Sequence, residues 1–450
     1  MDAERFMEVL PSRCAFSSGA DESKDAVPMR ILRYSDKDFS KALTALHRKS
    51  APAPDVEKTV REIIACIRSQ GDAALLEYTA KFGGPKISSK QLRVTRQSSV
   101  DAATKRAIVT AHANVRDFAK RSLRKDWGTR NKQGAFVGER FDPFQRVGIY
   151  VPGGTAPLVS TAVMTVTLAA VAGVPEIVVA TPSDRDGKNN DALLFALAHC
   201  GATEVYQVGG AQAVAALAYG TASIAPVQKI FGPGNAYVVE AKRQVFGQVA
   251  IDLLPGPSEI LVLADASANA AWIASDLLAQ AEHGKGSSIL FVTDSTPLLA
   301  RVEKQIAAQL AKLSRQAHLA PVLELDCVLI LVKKLAEAVA IANEFAPEHI
   351  SIATRDDAKI AAQIRTAGAI FLGGWSPVAA GDFLAGPSHT LPTGGAGKSF
   401  PGLTADMFQK RTSIVRLDEK SLRKSVPTIS QFSALEGLDA HGRSAEIRFE

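Results

Sequence analysis

Eight histidines occur in the chain, and four of them, His283, His349, His389 and His441, fall in stretches whose other residues suit chemistry. Gln280 and His283 stand three apart at the end of AspLeuLeuAlaGlnAlaGluHis (276–283), so on a helix they share one face and project together. Glu348 and His349 follow Pro347, which stops a helical pattern and places both on the connection to the next strand. A carboxylate beside an imidazole is a general acid/base pair wherever a pocket encloses it. Asp382 and His389 lie in a glycine-rich stretch, residues 370–402, expected to hold little regular structure; long irregular stretches of this kind are usually functional. Gln280, His283, Asp382 and His441 together supply two imidazoles, a carboxylate and an amide oxygen, a borderline set suited to zinc or a similar divalent ion. Spacing leaves that open, because each of these residues is equally at home as a solvated surface group.

These groups must be positioned by an α/β framework. The centre of the chain is residues 251–283, where ProGlyPro (255–257) makes a stiff turn, Ser258 and Glu259 follow, and IleLeuValLeuAla (260–264) has the continuous apolar run of a strand covered on both faces. Asp265 and Ser267 offer a helix start and Gly284 its end. Further strands are expected at 288–293 and 327–331, with helices at 298–313 and 335–343. Upstream, ValGlyIleTyrVal (147–151) runs into Pro152, Gly153 and Gly154, and the same strand, glycine turn and helix grammar returns at 176–182, 205–212 and 228–235. Such repetition means a parallel sheet. Tyr150, Gln212 and Asn235 each fall at the carboxyl end of one of these strands, where open α/β sheets place ligands, and the adjoining glycines would admit a pyrophosphate. None of the turns reads GxGxxG, so an ordinary dinucleotide fingerprint is missing. Residues 39–49 and 56–71 read as helices, the latter with an apolar stripe of Val60, Ile63, Ile64 and Ile67. Residues 90–119 continue as charged helix, and 121–138 read as a polar crossing between lobes. The tail has a basic helical segment from Ser413 and closes on a strand-like AlaGluIleArgPhe (445–449).

With 450 residues, 46% hydrophobic and 22% charged, the chain has the composition of an ordered globular protein of roughly three domains. The net charge of +6 is scattered among acids, so a phosphate-bearing cofactor accounts for it and nucleic acid is not expected; an aromatic content of 6% argues the same way. No apolar run reaches the ~20 residues of a membrane helix. Cys14, Cys66, Cys200 and Cys327 lie far apart and read as thiols in a reducing compartment, which with the acidic, non-apolar first 28 residues implies a cytoplasmic protein, Met29 being an alternative start.

Eight motifs occur in order between Val147 and His441: ValGlyIleTyrValProGlyGly, ValGlyGlyAlaGlnAla, GlyProGlyAsn, GlyProSerGluIleLeu, AspLeuLeuAlaGlnAlaGluHis, AlaProGluHis, GlyProSerHisThrLeuProThrGly and GluGlyLeuAspAlaHis. Through them the chain from about Arg30 to its end resembles the histidinol dehydrogenase family. The resemblance implies a zinc- and NAD-dependent enzyme, one Zn2+ per subunit, that oxidises L-histidinol through L-histidinal to L-histidine at the end of histidine biosynthesis. Carried over by motif, Gln280, His283, Asp382 and His441 are the metal ligands and Glu348 and His349 the acid/base pair. Ser258, Gln280, His283, His349, Asp382, His389, Glu436 and His441 are the substrate contacts, and Tyr150, Gln212 and Asn235 the NAD contacts.

The resemblance also implies two incomplete Rossmann-like lobes and a domain-swapped homodimer with shared active sites, in keeping with a tail too thin in apolar residues to form its own core. The expected organisation is a disordered extension at 1–28 and a discontinuous first lobe from 29–140 and 251–380. A second, NAD-side lobe spans 141–250, and a C-terminal arm, 381–450, crosses partly to the partner. Phe383 stands where some relatives carry tyrosine and Val378 where some carry glutamate. A branch of the family acts on other small alcohols, including sulfonated diols. Glu436 favours histidinol over these, since a carboxylate attracts a cationic amine and repels a sulfonate. A zinc hydrolase would leave the glycine-bordered strand ends without a purpose.

Overall fold

The computed structural model describes residues 29–46, 54–95, 98–153 and 158–450; the extension at 1–28, with Cys14, lies outside them, as does Gly154. Two parallel sheets dominate. The first has the order Arg30–Arg33, Cys327–Leu331, Ser288–Thr293, Glu259–Ala264, His349–Ala353, Ala369–Leu372, with every neighbouring pair parallel. Its central strands are buried along their whole length, because helices cover both faces. Ala270–Ala281, Thr296–Leu310 and Gln316–Asp326 pack on one side, Phe39–Thr44 and Leu335–Phe345 on the other. That is the environment a continuous apolar strand requires.

The second sheet has the order Glu204–Tyr206, Glu176–Ala180, Arg146–Tyr150, Lys229–Phe231, Ala250–Ile251, again parallel throughout. The helix Pro54–Gln70 forms as its periodicity demands, with Val60, Ile63, Ile64 and Ile67 all buried. The stripe does not pack on the first sheet. It joins Val214, Leu217 and Ala241 in the core of the second, and the helix Ala102–Ser122 likewise packs there through Ile108 and Val115. Residues 54–122, expected in the first lobe, therefore cover the second, and only the strand Arg30–Arg33 and the helix after it stay with the first.

Several local expectations are corrected. The stretch 121–138 is no simple crossing: Trp127–Arg130 and Phe136–Pro143 pair antiparallel, and Gln409–Arg416 joins them as a third strand. The helix after Glu259–Ala264 starts at the cap Asn269, whose side chain takes the Ala271 N–H, while Asp265 accepts from Ser267 and from Arg355 N–H one turn earlier. Residues 370–402 hold regular structure in the strand Ala369–Leu372 and the helix Val378–Phe383. The tail is helical to its end, with Glu419–Glu436, Asp439–Glu446 and a single 3-10 turn at Ile447–Phe449 where a strand was expected. Nor is 381–450 wholly an arm. Leu403, Ala405 and Phe408 belong to the second core, and the Phe408 ring stacks on Phe231 with centroids 3.8 Å apart.

Arg146 clips the amino edge of the second sheet together, donating to Glu176 at 2.5 Å and to both carboxylate oxygens of Glu204 at 2.7 and 3.0 Å. The guanidinium, helped by the Tyr206 hydroxyl, holds the Glu204 carboxyl down to about 2 against an ordinary 4.5. A depressed carboxyl contributes stability above its unfolded pKa and loses it as pH falls through the folded one. The Glu204→Gln variant should therefore unfold at lower urea than the parent protein at pH 7, with the gap closing as pH falls from 4.5 towards 2; urea titrations across that range check it.

Candidate functional site

The first sheet carries its chemical groups at the amino edge, where the strands Glu259–Ala264 and His349–Ala353 begin side by side, with His349 opposite Ile260. The expected loop pair is thus split: Glu348 ends the connection and His349 opens the strand. Glu348 is buried, and its Oε2 accepts from Ser258 Oγ at 2.6 Å and from Glu259 N–H at 2.8 Å. The pattern is returned, because Glu259 Oε2 accepts from Glu348 N–H at 3.3 Å and Glu259 Oε1 from Gly394 N–H at 2.9 Å. Thr393 Oγ1 takes the N–H of Gly256. Two carboxylates that would be costly to bury alone are thereby used to fasten two strand starts and two Gly/Pro loops. Glu259 was not expected as a site residue; a lone acid opening an otherwise apolar strand was the signal for it.

His349 Nδ1 lies 3.1 Å from the carbonyl oxygen of Glu259. A carbonyl can only accept, so Nδ1 carries the proton and Nε2 of the neutral ring keeps a lone pair. Burial pushes the His349 pKa below its ordinary value, opposed by Asp382, so the neutral form prevails. Its Nε2 stands 3.6 Å from Asp382 Oδ1, too far for a hydrogen bond. Burial raises the Asp382 carboxyl, opposed by His349 and reinforced by Glu348. His389 is driven to about 4, chiefly by burial, and its Nε2 meets Thr161 Oγ1 at 3.2 Å. Thr161 sits on the helix Val159–Val171 of the second sheet, so the two lobes meet at this point.

His349, Asp382 and His389 line one cavity of about 620 Å³. Gln280 is buried in the last turn of Ala270–Ala281 with its Nε2 unpartnered, and His283 lies just past that helix, its N–H bonded to the Gln280 carbonyl. Burial lowers the His283 imidazole, opposed by the nearby Glu348 carboxylate. The structure does not bring Glu436 and His441 to this cavity. Both are exposed on the C-terminal helices, beside exposed Phe432 and Leu435. Among the described residues no three of His, Cys, Asp and Glu are grouped as a metal site, as follows if His441 has to come from elsewhere. Gln280, His283 and Asp382 supply an amide, an imidazole and a carboxylate, donors compatible with a zinc-like ion. Val378 is buried in the core of the first sheet, and Phe383 is exposed.

Tyr150, Gln212 and Asn235 line a second cavity of about 630 Å³. Tyr150 ends its strand as expected and its hydroxyl accepts the Gly210 N–H at 3.1 Å; Gln212 lies in the first turn of the following helix, Gly210–Tyr219. Asn235 Oδ1 caps Ala236–Val245. A Cβ on Gly153 or Gly209 would meet Pro182 at 2.7 Å, so only glycine allows these walls their approach. The buried Gln212 Oε1 and Ser183 Oγ have no partner among the described residues. Unpaired polar groups around an open cleft beside helix N-termini suit a polar, phosphate-bearing ligand. The turn at Gly232 is held from below, since Lys242 donates to Gly232 carbonyl at 2.9 Å and ion-pairs with Asp252, whose other oxygen takes Gly232 N–H at 2.7 Å.

Ser258→Ala should cost about 1–3 kcal/mol in urea unfolding, the penalty of stripping one donor from a buried carboxylate. An unchanged midpoint would show that the hydroxyl does not carry Glu348.

The sequence profile of the histidinol dehydrogenase family matches residues 46–449. The histidinol dehydrogenase of Syntrophotalea carbinolica is 43% identical over 429 residues, 94% of this chain and 99% of its own. That of Bradyrhizobium diazoefficiens is 44% identical over the same length, again 94% and 99%. The crystal structure of histidinol dehydrogenase from Elizabethkingia anophelis superposes with a TM-score of 0.88 at 33% identity, covering 94% of this chain and 98% of that one.

Proposed function

The chain belongs to the histidinol dehydrogenase family, and from that premise we propose that it oxidises L-histidinol through L-histidinal to L-histidine with two equivalents of NAD and one zinc ion per subunit. The observation that carries the reading is His349: a buried imidazole with its proton fixed on Nδ1 and a bare Nε2 at the wall of the cavity it shares with Asp382 and His389.

When bound, the metal supplies a fixed anchor for the substrate's amine and imidazole, and NAD the acceptor for two electron pairs. Gln280, His283 and Asp382 would hold the metal from this chain, and Tyr150, Gln212 and Asn235 the cofactor in the second cavity. His349 Nε2 takes the proton of the substrate hydroxyl. The Glu348 carboxylate, held one residue away by Ser258 and Glu259, then takes a proton from the water that attacks the aldehyde. His389, kept neutral by burial, offers a hydrogen bond rather than a charge to the bound substrate.

His441 and Glu436 complete the set only if they come from a second copy. The exposed apolar residues beside them, Phe432, Leu435, Leu438 and Ile447, support a dimer in which the C-terminal helices cover the partner's site. Glu436 would then face the substrate's cationic amine. Relatives 42–44% identical to the chain are named histidinol dehydrogenase, and the sulfonated-diol alternative gains no support from them. No helix among the described residues is long and apolar enough to cross a membrane.

Zinc-loaded protein supplied with L-histidinol should form two NADH per substrate, followed by absorbance, and chelation should abolish it. One NADH per histidinol, or turnover of 2,3-dihydroxypropane-1-sulfonate alone, would contradict this reading.

A further inference from the structure

The catalytic groups of the first sheet occupy its amino edge, although open parallel sheets usually bind ligands at the carboxyl edge. That carboxyl edge has a cavity of its own, about 300 Å³, between the end of the strand His349–Ala353, the turn after Ala369–Leu372 and the first turns of the helix Ala270–Ala281. Asp276 lines it from the helix. No hydrogen bond or ion pair to the Asp276 carboxyl occurs among the described residues, and no Lys, Arg or His lines the cavity. Burial alone pushes this acid up to about 6, so it is ionised at pH 8 yet has no counter-charge. Thr354 adds a buried hydroxyl without a partner among the described residues, and Ser351 is buried in the same wall.

The mouth is aromatic. Trp272 and Trp375 meet with ring centroids 4.7 Å apart and planes inclined at 52°. A Cβ on Gly374 would come within 3.0 Å of the Trp272 ring, so glycine is what lets the turn lie against it. Trp375 is 86% exposed, so a face of its ring is open at the mouth. A half-buried carboxylate without a partner among the described residues, beneath two indole faces, is the combination that stabilises an organic cation, through charge below and the ring quadrupoles above.

We propose that this cavity, with Asp276 as its floor and Trp272 and Trp375 as its lid, binds a small organic cation of the alkylammonium class. The site shares Trp375 with the wall of the catalytic cavity but otherwise has its own lining; it lies at the opposite end of the strand that His349 opens and does not depend on the activity assigned above.

Tetramethylammonium chloride is the probe, titrated at pH 8 into the Trp127→Phe protein against matched sodium chloride. Two of the chain's three tryptophans then report, both in the cavity lid. A saturable change in tryptophan fluorescence is expected, weakened about tenfold or more by Asp276→Asn, the loss of a charged partner, and weakened also by Trp375→Ala, which alters only an exposed side chain. Both variants should keep the parent far-UV spectrum, and Asp276→Asn, which lies outside the catalytic cavity, also the parent rate of NADH formation. Absence of saturation, equal binding by the Asp276→Asn protein, or equal binding of uncharged tert-butanol would overturn the proposal. If Asp276→Asn does not fold, undiminished binding by Trp375→Ala would do so.

Discussion

The site depends on how two carboxylates are buried at the start of two adjacent parallel strands. Glu348 and Glu259 each take a backbone N–H from the other's residue, and the remaining donors come from Ser258 and Gly394. A lone buried carboxylate costs several kcal/mol, so the arrangement is held by necessity: loosening one strand start leaves the other's charge unsatisfied. The turn at 255–257 and the loop at 387–394 are tied to the same point, through Gly256 and Thr393. The tautomer of His349 follows, since the carbonyl its Nδ1 meets belongs to Glu259. Charge burial, strand register and the direction of a catalytic lone pair are therefore one constraint.

The lobes use opposite edges of their sheets. The second presents Tyr150, Gln212 and Asn235 around the carboxyl ends of its strands, in the usual manner of open α/β sheets. The first presents Glu348 and His349 at its amino edge. They meet where Thr161, at the head of a second-lobe helix, contacts His389 from the first-lobe side. A substrate group held at His349 and a cofactor held in the second cavity would approach one another across that contact.

Much of this was legible in the sequence. Continuous apolar runs marked the buried strands, and glycine turns after them marked the second cavity, whose three polar residues do converge. The apolar stripe of Val60, Ile63, Ile64 and Ile67 announced a buried helix face, but periodicity tells only that a face is covered. It could not say that the covering sheet was the second. Glu259 stood out as an acid opening an apolar run, but its role was not legible, because such an acid also reads as a boundary and its partners lie about 90 and 135 residues away. The last residues alternated enough to suggest a strand, yet with no neighbour to pair they continue as helix. Glu436 and His441 are exposed and apart from the cavity in this chain, which spacing alone could not foretell.

Mixing two inactive proteins tests that last point most directly. His349→Ala and His441→Ala, each unable to turn over histidinol, are unfolded together and refolded in equal amounts. If the C-terminal helices complete the partner's site, half the dimers are mixed and each has one intact site of two, so NADH formation should return to about a quarter of the parent rate. If the mixture stays as inactive as its components while remaining folded and dimeric, His441 acts within its own chain or not at all, and shared active sites are wrong.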